Sequence, residues 1–226
     1  DGEVQRRVKR FTLDRHGLKP RRPDDRVRPE HPQAVMFAAG IMQITRPHFE
    51  IAVQQLGVLK ALRAYDPRVA GTPPLGVETE KSDIDILCHA PDPNAFLTDV
   101  QNAYGTMSDV RIWQWISKDR PIIVTFHAHG WDFEIFASPQ PVALQNGWRH
   151  FEIERRLLAI GGQGFKDAIK LLRQQGMKTE PAFWSALKQS GDPYTGLLSL
   201  ETATDDALRE KLARLGFGRG HCVSDN

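Results

Sequence analysis

Asp83 and Asp85 stand two apart in an apolar run, Ser82-Asp83-Ile84-Asp85-Ile86-Leu87-Cys88. A strand turns successive side chains to opposite faces. Both carboxylates therefore project from one face, while Ile84 and Ile86 point the other way into a core. Upstream lie Gly71 and Thr72, then a turn containing Pro73, Pro74 and Gly76. Paired carboxylates beside a loop with free backbone N–H groups are an arrangement for divalent metal and phosphate. A second alternating run, Trp131-Asp132-Phe133-Glu134-Ile135-Phe136-Ala137, carries Asp132 and Glu134. If this run lies beside the first, one or both acids join Asp83 and Asp85. Such a set around Mg2+ or Mn2+ suits in-line phosphoryl or nucleotidyl transfer. The Gly71 loop would hold distal phosphates through its N–H groups and the Thr72 hydroxyl, and Gly76 allows the turn to be tight.

Strands and helices must position these groups. Residues 48–65 have helical periodicity, with Ile51, Val53, Leu56, Leu59 and Leu62 on one stripe, ended by Asp66-Pro67. Residues 68–70 enter a short strand, 71–80 form a loop and 82–88 a strand. Residues 94–104 read as a helix capped by Asn94. Three strands follow at 110–116, 121–128 and 131–137, the last two joined by a hairpin turn at His129-Gly130. Beyond Pro141 the pattern is helical, at about 147–159, 164–175, 180–189, 193–200 and 203–215, with breaks at Gly161-Gly162 and Gly191-Asp192-Pro193. This order predicts an α+β fold, a mixed sheet with helices followed by a helical lobe. A cleft between sheet and lobe is the natural place for a site.

Composition sets outer bounds. The chain has 226 residues, 40% of them hydrophobic and 26% charged, an ordinary core-forming balance. No run is long and apolar enough for a membrane span, and the polar N-terminus has no signal-peptide core. Two distant cysteines, Cys88 and Cys222, form neither a disulfide framework nor a zinc pattern. A reducing, cytoplasmic setting is expected. The net charge of +2 is too small to argue for nucleic acid. Residues 1–30 carry ten Lys or Arg against six Asp or Glu, which leaves the rest of the chain slightly acidic. The first 33 residues read as a loosely ordered basic arm, an upstream extension or a contact for RNA or an acidic partner. The chain opens on Asp, as a processed, tagged or partial chain would, and Met36 stands where the ordered pattern begins.

The stretch Ala70-Gly71-Thr72, a gap of ten residues from Pro73 to Ser82, and Asp83-Ile84-Asp85-Ile86 resemble the signature of the nucleotidyltransferase superfamily, the polymerase-beta-like fold. Thr72 replaces the usual Ser and keeps the hydroxyl. Phe133-Glu134-Ile135 supplies the third acid of that pattern, and Asp132 shares its face by parity. From about residue 50 the chain also resembles the bacterial DUF4269 family, through SDIDILC, FEIFA, MKTEPAFWSAL and GDPYTGLLSL. The resemblance implies a nucleotidyltransferase-like mixed sheet flanked by helices. It divides the chain into an arm (1–33), a catalytic α/β core (34–145), a helical C-terminal lobe (146–218) and a tail (219–226). The activity implied is transfer of a nucleoside monophosphate from a nucleoside triphosphate, ATP being the expected one, to a hydroxyl, with release of pyrophosphate. Asp83 and Asp85 would hold both ions. Glu134 would hold the ion that activates the acceptor, with Asp132 a further candidate ligand. Gly71, Thr72, Gly76, Ser82, Lys178 and Tyr194 would contact the nucleotide. The acceptor is RNA, protein or a small molecule.

His127 and His129 precede the third-acid strand; being two apart they could face the site together as metal ligands, but surface or packing positions are the preferred reading. His150 and Glu154, at i and i+4, share a helix face; they either point into the cleft or, as the preferred reading, form an ordinary exposed pair. Lys178 precedes a Thr179-Glu180-Pro181 helix start, where phosphate is favoured. Asp192-Pro193 caps another helix, and Tyr194 packs between helices or stacks on a base. Trp113 and Trp115 share a strand face and are expected in the core or under a helix rather than as a stacking platform. Competing functions are a two-metal nuclease or phosphatase, which needs no Gly-Thr loop, and a silent nucleotide-binding or partner-binding regulator, which would tolerate loss of an acid. A nucleic-acid-binding module would rest on the arm alone.

Overall fold

The computed structural model describes residues 46–116 and 119–218 in full, and the backbone alone of residues 8–14 and 17–20. The rest of the expected arm, Met36, Cys222 and the tail lie outside the described residues. Within the arm, β1 (Val8–Asp14) and β2 (Gly17–Pro20) pair antiparallel, so these two stretches are strands where a loose segment was expected.

The helical stripe at 48–65 is divided. α1 (Phe49–Leu56) ends at Gly57, whose φ of 66° caps it in the left-handed region, and α2 (Val58–Ala61) follows, then a 3-10 turn at Arg63–Tyr65. The glycine turns the chain once, and both short pieces bury their apolar side chains on the same core. β3 (Arg68–Ala70) leads into α3 (Thr72–Leu75), a single helical turn where a loop was expected. β4 (Ile84–His89) carries Asp85, and Asp83 immediately precedes it. α4 (Pro93–Tyr104) is capped by Asp92, not Asn94: the Asp92 carboxylate accepts from Asn94 N and Ala95 N, and Pro93 takes the first helical position. β5 (Arg111–Trp115), β6 (Ile122–Ala128) and β7 (Trp131–Ser138) follow as expected. α5 (Asn146–Gln174) joins the two expected helices across a kink at Gly162, where φ is 67° and ψ −164°. α6 (Thr179–Ala186), α7 (Pro193–Leu198) and α8 (Asp205–Arg214) complete the chain.

The fold is α+β, as expected. The fully described strands run β5-β6-β7-β4-β3, with the β1–β2 hairpin added at the β5 edge. Only β4 and β7 are parallel, which makes the sheet mixed. Alternation decides what each face meets. Ile84, Ile86, Phe133 and Ile135 are buried on one face with Phe96 and Val100 of α4 and Ala52 and Val53 of α1. Leu87 and Phe136, of opposite parity, face the other layer, which contains Phe151, Ile153, Leu157 and Phe165 of α5 and Phe183 of α6. Among the described residues, no helix is long and apolar enough to cross a membrane.

Candidate active site

The site lies on the face of β4 and β7 that looks toward α5 and α6. Asp85 and Glu134 are direct neighbours across the parallel pair, because Ile84 stands opposite Phe133 and Ile86 opposite Ile135. On the other side of β4, Ala70 stands opposite Asp85, and Gly71 follows at once. Gly71 adopts φ of 78°, and a β-carbon added there would lie 2.1 Å from Asp85 Oδ2. Only glycine lets the backbone pass this close to the carboxylate. Asp83, Asp85, Glu134, Gly71 and Thr72 all line one cleft of about 1360 Å3.

Charge is crowded here. Burial, then the neighbouring carboxylates Asp83, Glu134 and Glu180, push the Asp85 carboxyl up to about 8. Burial and Asp83 also raise Glu134. Asp85 therefore stays largely protonated at neutral pH unless a cation joins it. Three carboxylates are the donor chemistry of a hard divalent ion, and the charge that would settle them is the one an ion supplies. The residues therefore fit a divalent cation in kind. As they stand, no three acidic, His or Cys side chains among the described residues converge tightly enough to hold an ion.

The loop between Gly71 and β4 is fixed by hydroxyl and guanidinium contacts. Thr72 Oγ1 donates to Ser82 Oγ at 2.9 Å, and Thr79 N donates to the same oxygen at 2.9 Å. Both hydroxyl side chains are buried. Thr72 and Ser82, expected to contact nucleotide, thus spend their hydroxyls on each other. Arg46 donates to the carbonyls of Thr79, Glu80 and Ser82 at 2.6, 3.1 and 3.0 Å and lies 3.6 Å over the Trp131 ring. Gly76 ends α3 in the left-handed region with φ of 65° and is not among the residues lining the cleft.

The opposite wall is helical. Arg173 of α5 donates to Met177 O at 3.0 Å and reaches Ser82 Oγ at 3.4 Å, and its Nε has no hydrogen-bond partner. Lys178, at the start of α6, lines the cleft and is exposed. Among the described residues, neither Arg173 nor Lys178 has a carboxylate at ion-pair distance, whereas Arg149 is held by Glu201 at 2.8 and 2.5 Å. The cleft thus offers two cations, Arg173 and Lys178, that no carboxylate among the described residues holds at ion-pair distance.

Two candidates stand elsewhere. Asp132 shares the parity of Glu134, yet it is exposed at the start of β7 and bonds His127 Nδ1 at 2.9 Å, outside the cleft lining. The strand end carries it past the site toward solvent. Tyr194 also lies outside the lining. Its carbonyl meets His150 Nε2 at 2.9 Å, and its ring packs edge-on to that imidazole. The reading of an exposed His150–Glu154 pair is overturned: both are buried and both line the cleft. Their helix carries a face of charged residues that the sequence alone assigns to solvent. Trp115 and Phe136 pack edge-on at 5.7 Å and line the cleft, where a core or helix-covered position was expected for Trp115.

Among solved structures, one chain of a GLD-2/RNP-8 complex is similar with a TM-score of 0.40 and 10% identity, over 70% of this chain and 59% of that one. A chain from the polymerase core of TRAMP, an RNA surveillance complex, is similar with a TM-score of 0.38 and 14% identity, over 74% and 56%. The chain spans little more than half the length of either. No curated protein matches the sequence. The family model for a domain of unknown function, DUF4269, matches residues 51–200, from α1 through α7, and the chain is a member of the DUF4269 family.

Proposed function

We propose that this cleft transfers a nucleoside monophosphate from a nucleoside triphosphate to a hydroxyl acceptor. The observation that carries the reading is the register of Asp85 against Glu134 on parallel strands, with Gly71 packed against the Asp85 carboxylate from the other side. Asp83, Asp85 and Glu134 would hold Mg2+ or Mn2+. When bound, the ions neutralise phosphate charge, lower the pKa of the attacking hydroxyl and stabilise the leaving oxygen.

The chain's own groups divide the remaining work. The turn at Gly71 brings backbone N–H groups to the distal phosphates, and the Thr72–Ser82 hydroxyl contact keeps that turn in place. Arg173 and Lys178 face the triphosphate from the helical wall and supply the charge its tail requires. The acceptor oxygen attacks the α-phosphorus, the bond to the bridging oxygen of pyrophosphate breaks, and pyrophosphate carries away that electron pair. The acceptor proton passes to a carboxylate, and Glu134 is the nearest candidate on the acceptor side. ATP is the expected donor.

The deciding experiment is binding of each labelled nucleoside triphosphate, with and without Mg2+ or Mn2+, by wild type and an Asp83→Asn/Asp85→Asn variant. Saturable, metal-dependent binding that the variant loses supports the reading, and label transfer to hydroxyl acceptors then completes it. Equal binding or equal transfer by the variant sinks it.

A further inference from the structure

The helical wall holds a second acidic group that the transfer chemistry leaves unused. Glu154, on α5, is 4% exposed, lines the cleft, and its Oε1 has no hydrogen-bond partner. A buried carboxylate left without a partner is costly, and native structures seldom keep one without a reason. Glu180, on α6, reaches the same region: its Oε1 lies 4.0 Å from His150 Nδ1, and its side chain remains 25% exposed. Two carboxylates from two different helices therefore share one corner of the cleft.

The nearby cations offset this corner only in part: Arg173 acts on Glu154 at a distance, against burial and the charge of Glu180. Arg149 is held by Glu201, and Arg173 is directed at Met177 O and Ser82 Oγ. Among the described residues, no Lys or Arg stands at ion-pair distance from Glu154 or Glu180. Among the described residues His150 is the one basic side chain at ion-pair distance, from Glu180, and its Nε2 is already engaged with Tyr194 O.

We infer that this corner is the subsite for a positively charged acceptor, a hydroxyl-bearing small molecule with ammonium groups that Glu154 and Glu180 receive. The word acceptor rests on the transfer reading above; the amine site itself does not. An ammonium is a pure donor with three hydrogens, the complement of an unpartnered carboxylate, and the resulting bonds are charge-assisted. A polyanionic acceptor is disfavoured by the same groups. Its phosphates would meet two carboxylates beyond those that metal ions would cover.

The test uses the full chain without nucleotide or metal, and 1,3-diamino-2-propanol as probe. Glycerol is its uncharged counterpart. Binding is followed by saturation-transfer NMR at low ionic strength. The diamine should bind at least about tenfold more tightly than glycerol, and Glu154→Gln and Glu180→Gln should each weaken it by about fivefold or more. Glu180→Gln, at the less buried position, guards against a folding defect in Glu154→Gln, and thermal melts verify both. Asp83→Asn/Asp85→Asn should retain most of the affinity. Equal binding of diamine and glycerol overturns the inference. So does unchanged affinity in both Gln variants, or loss confined to Asp83→Asn/Asp85→Asn, which would put the amine on the strand carboxylates. Because nucleotide is absent, a wild type that binds no triphosphate would sink the transfer reading and leave this result standing.

Discussion

Gly71 and Asp85 are packed so closely that a single methyl group cannot be placed between them. A β-carbon at residue 71 would fall 2.1 Å from Asp85 Oδ2 and 3.0 Å from its Cγ. The backbone at 71 also has φ of 78°, where L side chains are strained. Gly71→Ala should therefore cost about 1–3 kcal/mol of stability and displace the Asp85 carboxylate. Chemical denaturation reads the first effect and metal-dependent triphosphate binding the second. A variant as stable as wild type with unchanged binding would refute the role given to this contact.

Asp85 should make stability depend on pH in a definite direction. Its carboxyl titrates near 8 in the fold and at 3.8 as its ordinary value, chiefly because of burial and then of Asp83 and Glu134. Between those values the unfolded chain has released a proton that the folded chain still holds. Unfolding then releases a proton, so this contribution is fully present below about 3.8, declines as pH rises, and is gone above about 8. Asp85→Asn removes the declining component. Its melting temperature should exceed that of wild type by an amount that grows from pH 4 to pH 8, reaching a stabilisation of about 1 kcal/mol or more. Mg2+ at pH 6 should raise the melting temperature of wild type and release protons, and do neither in Asp85→Asn. Parallel pH curves for the two proteins would contradict the crowding described here.

Ser82 holds together three parts of the phosphate-side loop. Its Oγ accepts from Thr72 Oγ1 and Thr79 N at 2.9 Å each, and Arg173 approaches it at 3.4 Å. Ser82→Ala leaves a buried hydroxyl and a backbone N–H without their acceptor, at a cost of about 1–3 kcal/mol. Ser82→Cys and Ser82→Thr keep an acceptor and should recover part of it. Hydrogen exchange at Thr79 should quicken in the Ala variant, while amides of α4, on the far side of the sheet, should not change.

What the sequence exposes here and what it hides follow from the range of the interactions. The carboxylate strands are legible because alternation is local: Ile84 and Ile86 must face one way if Asp83 and Asp85 face the other, and Phe133 and Ile135 repeat the rule for Glu134. Parity does not say where a strand leaves the site, which is why Asp132 reads like Glu134 yet pairs with His127 at the surface. The break after α1 turns on one left-handed glycine, Gly57, within a stripe that is periodic through it. His150 and Glu154 read as surface because a charged helical face is normally solvated, and only the packing of α5 against β3 and α6 makes that face a cleft wall. The Arg46 clamp joins residues more than 30 positions apart, and no local pattern signals it.

Arg173 should separate triphosphate affinity from loop stability. It is one of two cleft cations without a carboxylate partner, and it also contacts Met177 O and Ser82 Oγ. Arg173→Lys keeps the charge but loses the planar fork, whereas Arg173→Met loses both. If the guanidinium faces phosphate, triphosphate affinity should fall about tenfold or more in Arg173→Met, and monophosphate affinity much less, since the missing charge acts on the distal phosphates. If its work is confined to holding the loop, the two nucleotides should weaken together and the melting temperature should fall in step. Raising ionic strength should weaken triphosphate binding more in wild type than in Arg173→Met. An Arg173→Met variant that binds triphosphate like wild type would remove this residue from the site and leave Lys178 as its sole cation without a carboxylate partner among the described residues.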